Sequence, residues 1–583
     1  MVHLIARKIA VPSATWISIA LLASSCGGGS SPTSTVEPVP QALTAPTLLG
    51  ALAGDHSVLL NFSLPAFQSG RTDLNYQATC AATDGTVYST YGSQSPVTIS
   101  GLTNGIPYNC SVATVAASGT PISSASTIAT PLGAATQTGG AFVGSIVLGS
   151  PTAKSIVVNA YSASQSGQVS VSYGTSTGTY SKSTAYADLS AGKPIEIPVD
   201  GLSPNTRYYY RLLYRDRAGN PSSASDEFSF QTARPAGSSF TFSIQGDSHP
   251  ERVKTQFDAE LYTRTLMTVA SDRPDFYILM GDDFSVDTLD PATINAAQVT
   301  ERYTLQKPYL TLIGRSAPLF LVNGNHEQAA KYLLDGTPNN VAVWAQNARN
   351  AHYAQPAPDG FYAGNNESVP FIGLLRNYFS WTWGDALFVV IDPYWSSPVA
   401  VDNTFGNATK RSNLWDVTHG DAQYQWLKST LEQSKAKYKF VFAHHVMGTG
   451  RGGVEVAKLW EWGGENQAGV SEFPARRPAW SKSIHKLMAD NKVTIFFQGH
   501  DHIWVKQSLD SVTYQTLSQP ADPNYSLFNA DAYLTGDKMP NSGYTRVNVS
   551  PNGVKVEYVR TYLAKDEGPT QVHGSVAKSY TVQ

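Results

Sequence analysis

Five short apolar runs in the second half of the chain each break off into a polar motif rich in Gly, Asp and His, and this repetition restricts the fold more than any other feature of the sequence. Phe240-Thr241-Phe242-Ser243-Ile244-Gln245 leads into Gly246-Asp247-Ser248-His249, and Phe276-Tyr277-Ile278-Leu279-Met280 into Gly281-Asp282-Asp283. Leu319-Phe320-Leu321-Val322 leads into Asn323-Gly324-Asn325-His326-Glu327. Phe440-Val441-Phe442-Ala443 ends in His444-His445, and Val493-Thr494-Ile495-Phe496-Phe497-Gln498 ends in Gly499-His500-Asp501-His502. Of 12 histidines only His3 and His56 precede this region. The apolar runs read as β-strands. Helical stretches alternate with them, such as residues 423–434, where Trp426, Leu427 and Leu431 share a face. Together they predict an α/β domain. In open α/β sheets ligands gather beyond the carboxyl ends of the strands, so the five polar ends are expected to converge on one crevice. Their glycines let the backbone turn sharply there.

The first half has a different character. Residues 31–140 carry only five charges, Glu37, Asp55, Arg71, Asp73 and Asp84, and alternate short Val/Leu/Thr/Tyr runs with Gly, Pro and Asn turns, the pattern of a small β-sandwich. A second sandwich follows, marked by Val171-Ser172-Tyr173-Gly174, by the run from Gly201-Leu202 through Tyr208-Tyr209-Tyr210, and by Phe228-Ser229-Phe230-Gln231-Thr232. With charged residues at 15%, below the ~25% usual for soluble proteins, and aromatics at 11%, the chain is expected to fold rather than stay disordered. A balance of 41 Lys+Arg against 44 Asp+Glu, net -3, leaves no broad basic field for a nucleic-acid backbone, and no nucleic-acid binding is expected.

The five motifs, in the order D-x-H, G-D, G-N-H-E, V-x-x-H and G-H-x-H, resemble the signature of calcineurin-like metallophosphoesterases, and the sandwich before them gives the chain a likeness to purple acid phosphatases. Gly101-Leu102-Thr103-Asn104-Gly105-Ile106-Pro107-Tyr108 resembles the turn and tyrosine corner of fibronectin type III domains, with Phe62 in the place of their core Trp. The resemblance implies two fibronectin type III-like β-sandwiches followed by an α/β metallophosphoesterase domain, a two-sheet β core flanked by helices. The expected boundaries are 1–25 for a signal peptide of lipoprotein type, 26–43 for a flexible linker, 44–133 and 140–234 for the sandwiches, and 238–583 for the catalytic domain.

The same resemblance implies a first metal held by Asp247, His249, Asp282 and His502 and a second by Asp282, Asn325, His444 and His500, with Asp282 bridging. Imidazoles and carboxylates suit Fe, Zn or Mn, and a shared carboxylate can hold two divalent or trivalent ions side by side, with a hydroxide between them as nucleophile. His326 is then no ligand but the group that faces a phosphate ester and protonates its leaving oxygen. The expected activity is phosphomonoester hydrolysis; the alternatives are a phosphodiesterase using the same centre, or a surface-binding protein with an inert phosphoesterase fold. Purple acid phosphatases carry a metal-ligating Tyr three places after the bridging Asp, where this chain has Ser285, so a colourless enzyme is expected. His445 is open to a supporting or a structural role. Residues 332–371 and 448–477 interrupt the pattern; their aromatics and Arg451 are candidates for lining the cleft, with solvent-covering loops as the alternative.

The N-terminus reads as a processing segment: Arg7 and Lys8, an apolar run over residues 9–23, then Ala23-Ser24-Ser25-Cys26 before three glycines. The small residues before Cys26 resemble a bacterial lipobox, which implies export and a lipid on Cys26 that ties the protein to a membrane, as an outer-membrane lipoprotein or at the periplasm or cell surface; an ordinary signal cut near Ser25 is the alternative. In an exported chain oxidation is permitted, so Cys80 and Cys110 are expected to pair, two free buried thiols being the alternative.

Overall fold

The computed structural model describes residues 43–583, apart from 55–56, 64–73, 93–94, 96, 104–105, 117–120, 130, 132–141, 217–222, 403–404, 407–412 and 447–449. The signal segment, Cys26 and the linker assigned from sequence therefore lie outside the described residues. Among the described residues no helix is long and apolar enough to cross a membrane.

Thr47–Gly54, Ser57–Ser63 and Val97–Ser100 form one sheet of the first sandwich, and Leu74–Ala82, Val87–Gly92 and Tyr108–Ala116 the main strands of the other. Their inward positions alternate as a half-buried sheet requires, Leu74, Tyr76, Ala78 and Cys80 being buried. Cys80 and Cys110 lie directly opposite each other on neighbouring antiparallel strands and are joined by a disulfide. The Tyr108 hydroxyl accepts from Thr103 N at 2.9 Å, the corner contact expected from the Gly101–Tyr108 run, of which Asn104 and Gly105 are not described. Phe62 is buried with its ring 5.0 Å from that of Tyr76.

The second sandwich pairs Ser145–Gly149, Ser155–Tyr161 and Ile195–Asp200 against a sheet whose long members are Gly167–Gly174 and Arg207–Arg215. It repeats the corner, Tyr208 accepting from Ser203 N at 2.8 Å. Buried hydrogen bonds fasten it to the following domain. Ile146 N donates to Thr311 Oγ1, Tyr210 OH to Arg315 O, and Lys307 Nζ to both Asn159 Oδ1 (3.0 Å) and His352 O (2.6 Å).

The remaining chain builds two sheets packed face to face with helices outside. We label the strands that lead to the site β1 (Phe240–Gln245), β2 (Tyr277–Leu279), β3 (Leu319–Leu321), β4 (Ala386–Val390), β5 (Tyr438–Phe442) and β6 (Ile495–Gln498). In the six-stranded sheet β1, β2 and β3 run parallel and adjacent; in the eight-stranded sheet β4, β5 and β6 do the same. Period-two alternation divides each strand between two cores. Phe276, Ile278 and Met280 enter the layer between the sheets, while Tyr277 and Leu279 face the outer helices. Phe440 and Phe442 do the first and Val441 the second. This is why the runs read as unbroken apolar sequence. The middle layer is largely aromatic: Phe242 stacks on Phe276 at 5.5 Å and Phe442 on Phe497 at 5.1 Å, and each ring removes roughly 150–250 Å² from water.

The helix expected near residues 423–434 spans Gly420–Gln433 and buries Leu427 and Leu431, with Trp426 half-buried. The two interrupting stretches carry buried segments as well as exposed ones. Residues 332–371 contain the helix Val341–His352, capped by Asn340 and sunk against the outer face of the first sheet. Residues 448–477 place Trp462 in the outer core of the second sheet and Glu461 beneath it, held by His419 and Arg477. Their apolar spacing was broken by turns, so the sequence concealed their packing.

Candidate metal centre

Each polar motif begins where its strand stops, and the backbone there takes conformations that side chains resist. His249, Asp282, His500 and His502 all have positive φ, 45°, 57°, 67° and 54°, a region that non-glycine residues visit sparsely and chiefly at functional sites. The flanking glycines are sites of close approach. A β-carbon on Gly499 would come 2.5 Å from Asp247 Oδ1, and one on Gly324 would press on the carboxylate and backbone of Asp282.

Folding brings six of the seven candidate ligands into one buried cluster, Asp247, His249 and Asp282 from the first sheet and His444, His500 and His502 from the second, while Asn325 is buried at the end of β3. His502 Nε2 lies 3.0 Å from Asp247 Oδ2, and His249 Nε2 4.0 Å from the same oxygen. His444 Nε2 is 3.0 Å from Asp282 Oδ2 and 3.3 Å from His500 Nδ1. Three overlapping donor triads result, Asp247/His249/His502, Asp282/His444/His500 and, between them, His249/Asp282/His326, each with ligand atoms mutually within 4.8 Å. Both side-chain atoms of Asn325, and His249 Nε2, are buried without a hydrogen-bond partner among the described residues. Such atoms normally cost free energy unless something binds them. The donor set, imidazole and carboxylate with one amide, fits a pair of first-row cations.

The surroundings hold the rings in place. His444 Nδ1 is 2.7 Å from Met280 O, which leaves Nε2 for the centre, and His500 N donates to Asp247 Oδ1 at 2.8 Å. Ser285 Oγ and Glu251 Oε1 each sit 3.1 Å from His249 Nδ1. Ser285, three places after Asp282, thus orients a histidine. Glu327 accepts from Asp283 N, Phe284 N and Gly324 N, at 2.8, 3.1 and 2.7 Å, and so ties the β2 turn to the β3 turn.

The charges are strongly coupled. Burial alone would raise Asp247 and Asp282, but His444 next to both, with His502 at Asp247 and His326 at Asp282, keeps them below the usual carboxylate range. Burial opposes protonation of His444, yet Asp282 and Asp247 outweigh it and lift the ring to about 10. Burial pushes Glu327 up to about 7, with Asp282 adding to the effect.

His326 sits at the edge of this cluster, partly exposed. Its Nε2 is 3.7 Å from Asp282 Oδ2 and 3.2 Å from Arg252 Nη2, and its Nδ1 is 2.7 Å from Asp287 Oδ2. Burial works against its protonation, but Asp282 and Asp287 raise it to about 9. His445 is buried behind the centre, its ring 4.5 Å from that of His500 and its Nδ1 3.2 Å from the Tyr394 hydroxyl; burial holds it well below the ordinary histidine value. Arg451 is tied to the loop after β6, donating to His500 O and lying 3.3 Å from Asp501 Oδ1. Sequence reasoning missed Glu251, Arg252, Asp287 and Asp402, the last 3.2 Å from His500 Nε2. None of the four directly follows a strand, though Glu251 and Arg252 follow directly on the first motif.

Residues 144–232 match the family model for the purple acid phosphatase N-terminal domain, and residues 240–504 that for calcineurin-like phosphoesterases; the chain carries both domains. Purple acid phosphatase 21 of Arabidopsis thaliana is 24% identical over 362 residues, covering 61% of this chain and 63% of that protein, so the match spans less than two thirds of that relative. Among solved structures, the purple acid phosphatase PPD1 from yellow lupin (Lupinus luteus) seeds aligns over 90% of this chain and 92% of its own at 14% identity, with a TM-score of 0.49. GAP50, the anchor in the inner membrane complex of Plasmodium, aligns over 59% and 88% at 13% identity, with a TM-score of 0.32.

Proposed function

We propose that the protein is a metal-dependent phosphatase that hydrolyses phosphomonoesters at this cluster. The observation that carries the reading is the convergence of six buried imidazole and carboxylate side chains, several with a ligand atom that has no hydrogen-bond partner among the described residues, next to a histidine held by an aspartate. Asp247, His249, Asp282 and His502 would hold one cation, and Asp282, Asn325, His444 and His500 the other. When bound, such a pair supplies Lewis acidity and a water acidic enough to attack near neutral pH.

The chain's own residues supply the rest. Asp287 accepts from His326 Nδ1, which fixes the ring so that Nε2 points at the centre and carries the proton that a departing alkoxide needs. Asp282 Oδ1 accepts from His326 N at 2.9 Å, so this carboxylate on the β2 turn and the proton donor on the β3 turn are held together. Elemental analysis of purified protein, combined with turnover of aryl phosphates by wild type, Asp282→Ala and His326→Ala, tests the assignment. Two bound ions and a loss of at least about 10²-fold in each variant are expected; unchanged hydrolysis in either would show that the reaction occurs elsewhere. The export reading belongs to the same proposal, with a lipid on Cys26 as the membrane attachment. Incorporation of labelled fatty acid that persists in Cys26→Ser would refute the anchor.

A further inference from the structure

We propose that Arg252 is a phosphate-recognising residue of this centre and that it selects dianionic monoesters over diesters. The proposal rests on the phosphoesterase reading above and narrows its substrate class. Arg252 lies three residues after His249 on the loop leaving β1, so the turn that aims a metal-binding ring also places this guanidinium. Glu251 Oε1 holds its Nε at 3.3 Å and Gln256 Oε1 accepts from Nη1 at 2.6 Å, which locks the fork from two sides. Nη2 is 3.2 Å from His326 Nε2, the nitrogen assigned to the leaving group. A guanidinium has five N–H donors. The Glu251 and Gln256 contacts take two of them, and a third N–H is donated to His326 Nε2 only while that nitrogen carries no proton, so each terminal nitrogen keeps at least one N–H uncommitted among the described residues. The side chain is 26% exposed, while the Glu251 carboxylate that anchors it is 8% exposed. The cation is therefore presented outward, at the mouth, with its counter-charge behind it.

The geometry suits one ligand chemistry. Two parallel N–H groups in a plane match two oxygens of one phosphoryl group. A monoester offers three terminal oxygens and two negative charges; a diester offers two oxygens and one charge, and its second organic group must occupy the space next to the phosphorus. The Arg252 guanidinium, presented beside His326, thus rewards the second charge. The same guanidinium would bind inorganic phosphate, the product.

The test uses full-length protein loaded with metal, with 4-nitrophenyl phosphate and bis(4-nitrophenyl) phosphate as a matched pair. Arg252→Ala is expected to lower kcat/KM for the monoester roughly 30- to 300-fold and for the diester less than about fivefold, with Arg252→Lys intermediate on the monoester, because removing a charge-assisted bidentate contact acts on the group that uses it. Calorimetric titration with inorganic phosphate should show at least about tenfold weaker binding in Arg252→Ala at unchanged metal content. Equal losses on both esters would reduce Arg252 to a support for His326 and overturn the proposal, as would unchanged phosphate binding. A wild-type protein that carried metal but cleaved neither ester would sink the phosphoesterase reading itself, an outcome separate from the variant comparison.

Discussion

Replacing Gly324 by alanine tests whether the centre is as tightly built as the structure shows. The added β-carbon would lie 2.5 Å from Asp282 N and 2.7 Å from Glu327 Oε2, and nearer still to Asp282 Oδ1, whereas real β-carbons almost never come within 3.0 Å. One turn must therefore move by at least 3.0 − 2.5 = 0.5 Å, and the neighbour is backbone, not the tip of a flexible side chain. Over-packing of this kind costs about 1–3 kcal/mol. The same shift strains the Glu327 contact to Gly324 N and the Asp282 contact to His326 N, two buried charged hydrogen bonds worth about 1.5–3 kcal/mol each. Because displacement by about 1 Å can cost 10²-fold in rate, Gly324→Ala should lose at least about that factor in kcat/KM and retain fewer than two metal ions by elemental analysis. Gly568→Ala, whose β-carbon meets nothing within 4 Å, is the control and should behave as wild type. A Gly324→Ala protein with full metal content and undiminished rate would refute the reasoning.

Asp287→Asn removes a carboxylate that holds His326 up to about 9; a histidine whose raised value falls loses its proton at lower pH, so the alkaline limb of the rate profile should move to lower pH. Burial brings Lys307 down to about 7 from 10.5, so between those values the unfolded chain binds more protons and stability rises with pH, by up to about 5 kcal/mol at 1.36 kcal/mol per unit. Lys307→Met should flatten that rise in denaturant titrations at pH 7 and pH 10, and an identical slope would contradict it. With Ser285 bonded to His249, metal-loaded protein should show no strong visible charge-transfer band. Opening the Cys80–Cys110 link, which spans 30 residues, should destabilise the first sandwich by roughly 3–4 kcal/mol on the chain-entropy estimate while leaving catalysis intact; proteolysis rates and ester turnover measure the two separately.

The six clustered Asp and His side chains were readable because each closely follows a strand whose two faces are both buried, and such strands announce themselves as apolar runs. Asp287 was not readable: it lies in the 3-10 turn Val286–Thr288, five residues past Asp282, where no periodicity marks it. Arg252 and Asp402 escaped for the same reason, since their importance comes from what crosses over to meet them. Glu327 stood in plain view within its motif, but its task, accepting three backbone N–H groups from two turns, exists only in three dimensions. The corner tyrosines were legible because their contact is local, five residues back along the chain.

The donors are split between layers: Asp247, His249, Asp282 and Asn325 descend from one sheet, His444, His500 and His502 from the other. A cation seated among them would act as a rivet through both plates. Loading would then report on assembly, because neither plate alone offers a full coordination set, and a chain whose last 140 or so residues have yet to emerge holds no complete socket for an ion to occupy by mistake.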